Sequence, residues 1–557
     1  MQHVAVSKRL TALLLVLGPV TTLAISPFSN YDPINLIKIT FVSSVAFALL
    51  ALILSTWKSY YPRLPKGIWI TVATFVLWML VVIIASGAPI NQQIWGVFGR
   101  SNGFLSYFSL AVVLIGVALI QEKRFYWKLV EALVLTAVPV TIYALIQVAG
   151  RDPISWSLMA PFATLGNINF SSAFFGLASI CSTILALAPK QRLWLRFLLL
   201  AMVVVDLGII LETGSIQGIM IFFAGLGIAG YFMVRGNEKL QMLQIPYAIL
   251  GICTFLLTSM ALKDLGPLAR FIFGETILFR LDYWYAGWIM TLTNPLFGIG
   301  LDSYGDWYRE ARGELATLRT TPDRITNTAH NIYLDISASG GFPLIAAYLI
   351  LLGYALRASI RFIKRNKSFD PYFVALFSSW VAYLVQAAIS INQIGVGIWG
   401  WLFTGGLIGY EVATRESKEV SPSGKLRGAN FQLPALVALM GIAGFAIGFV
   451  LAFIPFNADA RFKNALQSGD LYQLESRATA LGATSFHMEL TLDTALKANN
   501  EPLAAKITDD LLRRYPRVFM GWRVKQILAS TSDQGREEAY ARLRELDPFN
   551  PDIRRLE

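Results

Sequence analysis

Long apolar runs separated by short polar connections fill most of the chain, and the pattern changes character near residue 456. A helix crossing hydrocarbon needs roughly 20 mostly apolar residues, because backbone groups cannot stay unpaired in lipid. About thirteen runs meet that criterion, centred near Leu17, Ala48, Leu77, Val112, Thr141, Leu177, Val205, Ala224, Ile252, Leu349, Tyr383, Leu402 and Ala443. The pattern therefore predicts an all-α polytopic membrane protein. Its one long polar interruption runs from 263 to 340, and beyond 456 the apolar runs give way to charged, amphipathic helix patterns. The expected division is 1–262 and 341–455 as membrane helices, 263–340 as a loop carrying an interfacial helix, and 456–557 as a small soluble helical domain.

Composition agrees: hydrophobic residues make up 55%, charged residues 15%, and the mean hydropathy is +0.55, which excludes an ordinary soluble domain. The net charge of +12 matters through its location. Lys58, Arg63, Lys66, Lys123, Arg124 and Lys128 fall in one alternate set of short connections, as do Arg357, Arg361, Lys364, Arg365, Lys418, Lys425 and Arg427. The opposite set holds only Lys38, Arg100 and Arg151. Basic residues mark the cytoplasmic side, so the N-terminus is expected inside, and the 263–340 loop and the tail outside. The basic excess is then a topology signal, with no call for nucleic acid. Lys8 and Arg9 precede an apolar run like a signal peptide, but no small-residue cleavage site leads into a soluble domain, so a retained helix is expected. Cys181 and Cys253 sit in apolar runs without metal-ligand spacing.

Chemistry-bearing residues concentrate in the long polar loop. Arg280, Trp284 and Trp288 fall at i, i+4 and i+8, one face of a helix, and aromatic rings with one wet end suit a membrane interface. Read alone, such a helix is an anchor and Arg280 a snorkelling side chain. Pro295, Gly298 and Gly300 break the helix and permit left-handed turns. His330 stands beside Asn331 at the start of the next apolar helix, and its only fellow histidines are His3 and His487. Imidazole is the side chain whose unperturbed pKa lies nearest neutrality.

In this order, Arg280, Trp284, Pro295-Leu296, Gly298-Ile-Gly300 and His330-Asn331-Ile-Tyr333-Leu334 resemble the O-antigen ligase superfamily, which includes O-antigen ligases, O-antigen polymerases and bacterial protein O-oligosaccharyltransferases. GNINFSSAFFG from Gly166 and GRSNG from Gly99 are similar to further segments of that group. The resemblance implies a metal-independent, cofactor-free inverting glycosyltransferase of the bacterial inner membrane. Its donor would be a glycan on polyprenyl diphosphate, and its acceptor a hydroxyl of a glycolipid, protein or wall polymer. It implies catalytic roles for His330 and Arg280. Substrate contacts would fall to Arg100, Arg270, Asn167, Asn169, Trp284, Asn331, Gly298 and Gly300.

Two departures stand out. Ile216 and Gln217 occupy a turn where the family often carries arginine, so Arg100, Arg151 or Arg270 is expected to substitute, and Ser339 stands where a glutamate often follows. In the tail, LLRRYPRVF is echoed by RLRELDPFN at a spacing of roughly 32 to 34 residues, similar to tetratricopeptide repeats, and such a helical module would suit contact with a protein partner or shape a substrate entrance. Ligase-like transfer is expected ahead of polymerisation or protein glycosylation. A lipid-linked-glycan flippase is the non-enzyme alternative, though no repeat relates the two membrane halves. A metal-dependent transferase would draw on Asp302 and Asp306.

The charge asymmetry predicts that a membrane-impermeant maleimide labels Ser530→Cys in intact spheroplasts, and labels Lys367→Cys only after lysis. The reverse pattern would overturn the orientation.

Overall fold

A computed structural model describes residues 2–154, 156, 160–319, 321–415 and 434–554. Lys418, Lys425 and Arg427 of the expected basic connection lie outside the described residues. Among the described residues no strand occurs, and all thirteen apolar centres fall inside helices. Nine helices there are long and apolar enough to cross a membrane, with Phe104–Ala118 and Pro371–Ala387 as shorter apolar helices. The remaining two centres lie in Gln2–Leu23 and Ile394–Ala413, of 22 and 20 residues. The protein is an all-α polytopic membrane protein.

The bundle is layered by exposure. Phe104–Ala118, Ile168–Ala186 and Ile394–Ala413 are buried along nearly their whole length, whereas Gln244–Ala261 buries only Ala261 and leaves an apolar surface for lipid. Small residues permit the closest approaches, as expected where packing rather than water exclusion holds helices together. At Gly444 and Gly448 of Pro434–Ser468, a Cβ would come within 2.5 Å of Phe47 O and 2.4 Å of Ser43 O on Asn35–Ser55.

One break in this bundle positions the polar loop. Ile332–Arg365 is kinked at Gly340 (φ −135°, ψ 16°) and Gly341 (φ 69°, ψ −173°), which frees the carbonyls of the turn before it. The Pro295–Gly300 turn takes them up. The Ile299 N–H donates to Ala338 O at 2.8 Å, the Gly300 N–H to Ser339 O at 3.1 Å, and the Phe342 N–H to Pro295 O at 2.8 Å. The Trp78 indole N–H donates to Gly340 O at 2.9 Å. Gly298, at φ 63°, runs so close to this break that a Cβ would sit 2.4 Å from Ala338 O. Glycine is required here by both its left-handed backbone and the contact.

The expected boundary near residue 455 is not a break in the helix, because Pro434–Ser468 runs through Pro455 and leads directly into the tail. There Leu471–Ala478, Ser485–Lys497, Glu501–Arg514, Phe519–Ile527 and Asp533–Leu546 follow in succession, around a core that includes Phe462, Leu474, Leu492, Ile507 and Leu511. Asp459 fastens the junction: its Oδ2 accepts from the Tyr31 N–H at 2.8 Å and the Asp32 N–H at 3.2 Å, and its Oδ1 lies 3.1 Å from His487 Nε2.

Gly298→Val is expected to lower stability by roughly 2–4 kcal/mol, from left-handed strain plus overpacking. The thermal midpoint in detergent measures it, and an unchanged midpoint would contradict the capping role.

Candidate functional site

Three elements distant in sequence meet at one cleft. The first is the turn from Val97 to Asn102, and it is built on Asp302. The buried Asp302 carboxylate accepts from the Val97 N–H at 2.7 Å and the Asn102 N–H at 3.1 Å, both through Oδ2. Gln92 braces the same corner, its amide donating to Asp302 O at 3.3 Å, Ser303 Oγ at 3.1 Å and Asp306 Oδ2 at 2.6 Å. The turn thereby presents Arg100, whose Nε donates to Asn327 Oδ1 at 3.0 Å.

The second element is the stretch leading into the kinked helix. Its backbone is set by short polar side chains: the His330 N–H donates to Thr328 Oγ1 at 3.0 Å and the Ala329 N–H to Asp335 Oδ1 at 2.6 Å. Asn331 caps the helix, accepting from the Tyr333 N–H at 3.0 Å and the Leu334 N–H at 3.2 Å. His330 itself is held at φ 50°, with Asp302 at 52° and Ser101 at 55°. Left-handed residues other than glycine cost roughly 1–2 kcal/mol each, and such strain gathers at functional sites.

Glu275–Thr293 is the third element. It buries Ala286, Gly287, Met290 and Thr291 and leaves Tyr285 and Trp288 exposed. Its Tyr283 ring lies 5.4 Å from the His330 ring at an angle of 30°. Arg280 is half-buried, and among the described residues no hydrogen bond or ion pair engages its guanidinium. The Trp284 indole N–H is likewise buried without a partner there.

Burial, then the charges of Arg100 and Arg280, push the His330 imidazole down to about 4, so it is neutral at physiological pH. Burial has the opposite effect on Asp302 and Asp306, raising each carboxyl to about 6. The resulting cleft, about 920 Å³ in volume, has Arg100, Tyr283, Asn327 and His330 on one side and tail residues on the other. A neutral imidazole with two guanidiniums in electrostatic range can accept a proton beside a bound polyanion.

The other expected site residues separate from this cleft. Gly298 and Gly300 form the turn that caps the kink, and Asn331 is occupied as a helix cap. Asn167 caps Ile168–Ala186, and Asn169 Oδ1 accepts from Ser215 Oγ at 2.8 Å. That contact brings the Gly-Asn-x-Asn segment to the start of the helix Ile216–Gly236, so the expected turn at Ile216 and Gln217 is the first turn of a helix, and the buried Gln217 amide there has no partner among the described residues. Arg151 and Arg270 are exposed and do not line the cleft. Sequence reasoning missed Asn327 and Tyr283, named none of the tail residues that line the cleft, and treated Asp302 only as a potential metal ligand. The glycines around Asp302 were the available signal for a tight corner; the tail was expected to shape a substrate entrance, but no residue pattern in it singled out Phe486, Glu489 or Arg523.

Residues 156–349 match the family described as O-Antigen ligase. No curated protein matches the chain. The family match spans Asn167 to His330 but excludes Arg100 and the tail.

Removing the Asp302 carboxylate orphans two backbone donors, at about 1–3 kcal/mol each. Asp302→Ala is therefore expected to accelerate hydrogen exchange across 97–102, read by mass spectrometry. Unchanged protection would show that the turn stands without it.

Proposed function

We infer that this chain, a member of the O-antigen ligase superfamily through residues 156–349, transfers a saccharide from a polyprenyl diphosphate to an acceptor hydroxyl on the outer face of the bacterial inner membrane. The observation that carries the reading is the neutral His330 in a cleft that Arg100 also lines, with the Arg280 charge near enough to act on the imidazole. The one-sided distribution of Lys and Arg supports the outer face.

Diphosphate is a competent leaving group, so the site's task is to hold and neutralise charge. Arginine suits that task through two parallel N–H donors. Arg280 has its guanidinium disengaged, and Arg100, already in the cleft, takes the place of the arginine missing at Ile216 and Gln217. Donors aimed at developing charge act most strongly where water is scarce. The acceptor O–H proton passes to the His330 imidazole as the acceptor oxygen bonds to the anomeric carbon. The carbon–oxygen bond to phosphate breaks, its electron pair leaves with the lipid diphosphate, and attack from the opposite face inverts the centre. Transfer to a separate acceptor fits better than chain extension because the tail encloses the cleft.

Free His330 is a weak base, first because it is buried and then because the arginines repel its proton. A bound diphosphate cancels that repulsion and raises its basicity. The site is thus tuned to accept a proton when the donor is in place.

In purified protein, His330→Ala is expected to lower transfer by about 10²- to 10⁴-fold while leaving expression and insertion intact. In the wild type, the acid limb of kcat should lie at higher pH than that of kcat/KM, because kcat reports the donor-bound enzyme. Near wild-type turnover in His330→Ala, or an acid limb displaced the other way, would refute the assignment.

A further inference from the structure

The wall of the cleft facing His330 is formed by Ser485–Lys497 and Phe519–Ile527 of the tail, through Phe486, Glu489, Phe519 and Arg523 among others. It lies wholly beyond residue 349, where the family match ends. We propose that this wall is the acceptor subsite, and that Phe486, Glu489 and Arg523 hold an acidic saccharide there with its hydroxyl towards His330.

The wall is held in register by contacts that a loosely attached tail would not need. Asp547, 1% exposed, accepts from Arg309 Nη1 at 2.9 Å and from Arg312 Nη2 at 2.8 Å. Arg517 pairs with Glu310 and lies 3.6 Å from the centre of the Trp307 ring. Its Nε donates to Asp306 O at 3.2 Å. Buried ion pairs are costly to desolvate, and here they fix the distance between the tail and the loop that carries His330. Phe486 adds a stacked contact with Phe98 of the Arg100 turn, ring centres 3.9 Å apart and 7° from parallel.

The lining chooses the ligand class. Of the five arginines that line the cleft, Arg309 and Arg517 are taken up by the ion pairs above, and Arg100, Arg324 and Arg523 remain to attract an anion. Arg523 is exposed, and among the described residues nothing pairs with it. Burial pushes the carboxyl of Glu489, which lines the same cleft, up to about 7, so it both donates to and accepts from hydroxyls near neutrality. Flat aromatic faces beside planar polar groups suit sugar rings. Of the recurring peptide-binding modes, the cleft offers no free sheet edge, apolar groove or proline-binding groove; its arginines would suit only an acidic peptide, and the aromatic faces favour a sugar ring over that. Its volume of about 920 Å³ is within the range of small-ligand sites and accommodates a short oligosaccharide.

The inference rests on the transferase reading, but binding is measurable without turnover, so the two fail separately. Full-length protein in nanodiscs is titrated calorimetrically with tri-galacturonic acid, maltotriose and a Ser/Thr-rich peptide. The acidic trisaccharide should bind roughly tenfold tighter than maltotriose, the scale of one charge-assisted hydrogen bond. Arg523→Ala should erase that preference, Glu489→Gln should weaken both saccharides, and Tyr472→Ala, at a position 87% exposed in the tail, should change neither. Failure of both saccharides to bind, equal binding of the two, preference for the peptide, or wild-type affinity in Arg523→Ala would overturn it.

Discussion

A single buried carboxylate joins the parts of this protein that its chemistry requires. Asp302 accepts two backbone N–H groups from the turn that carries Arg100, and it does so from a loop about two hundred positions later. A desolvated carboxylate is costly unless its lone pairs are taken up. Here the burial penalty is only partly offset by those donors and by the nearby Arg100 charge, and the carboxyl is left raised to about 6. Without it the N-terminal half and the polar loop would still be packed helices, but Arg100 would have no reason to face Asn327 and His330.

The kink at Gly340 and Gly341 plays a complementary part. A straight helix from Ile332 would carry its first turn along the membrane-spanning axis. The break lets that turn stand apart, and the Pro295–Gly300 turn and Trp78 satisfy the carbonyls it exposes. His330 therefore sits at the rim of the bundle, on a backbone set by Thr328, Asp335 and Asn331. Two guanidiniums and burial keep its imidazole unprotonated. Under the proposed transferase reading, the same charges that would grip a diphosphate would hold the base in reserve until it binds.

Much of this was legible from residue patterns because membrane helices obey a strong local rule. Apolar length alone located every helix of the bundle, and the sparse polar residues of the long loop drew attention to Arg280 and His330. What periodicity could not supply was the pairing of segments far apart in sequence. Gly298 and Gly300 read as a flexible turn near substrate, whereas they pack against a helix break where a Cβ would collide. Asn167 and Asn331 read as polar contacts for a ligand, yet each serves the backbone of its own helix. Arg270 had the right chemistry in the right loop but lies outside the cleft. A tail that shapes a substrate entrance was one expectation, but the residues of its wall could not be named, because its docking depends on long-range ion pairs such as those of Arg309 and Arg312 with Asp547.

The central claim is that His330 acts as a neutral base in transfer, and chemical rescue tests it most directly. At φ 50° the position suits glycine, so His330→Gly should keep the backbone while opening space for a free imidazole. The account predicts that this variant loses transfer from a polyprenyl diphosphate donor, and that added imidazole restores a measurable part of it with a pH dependence set by the imidazole. Undiminished transfer by His330→Gly without imidazole would contradict it.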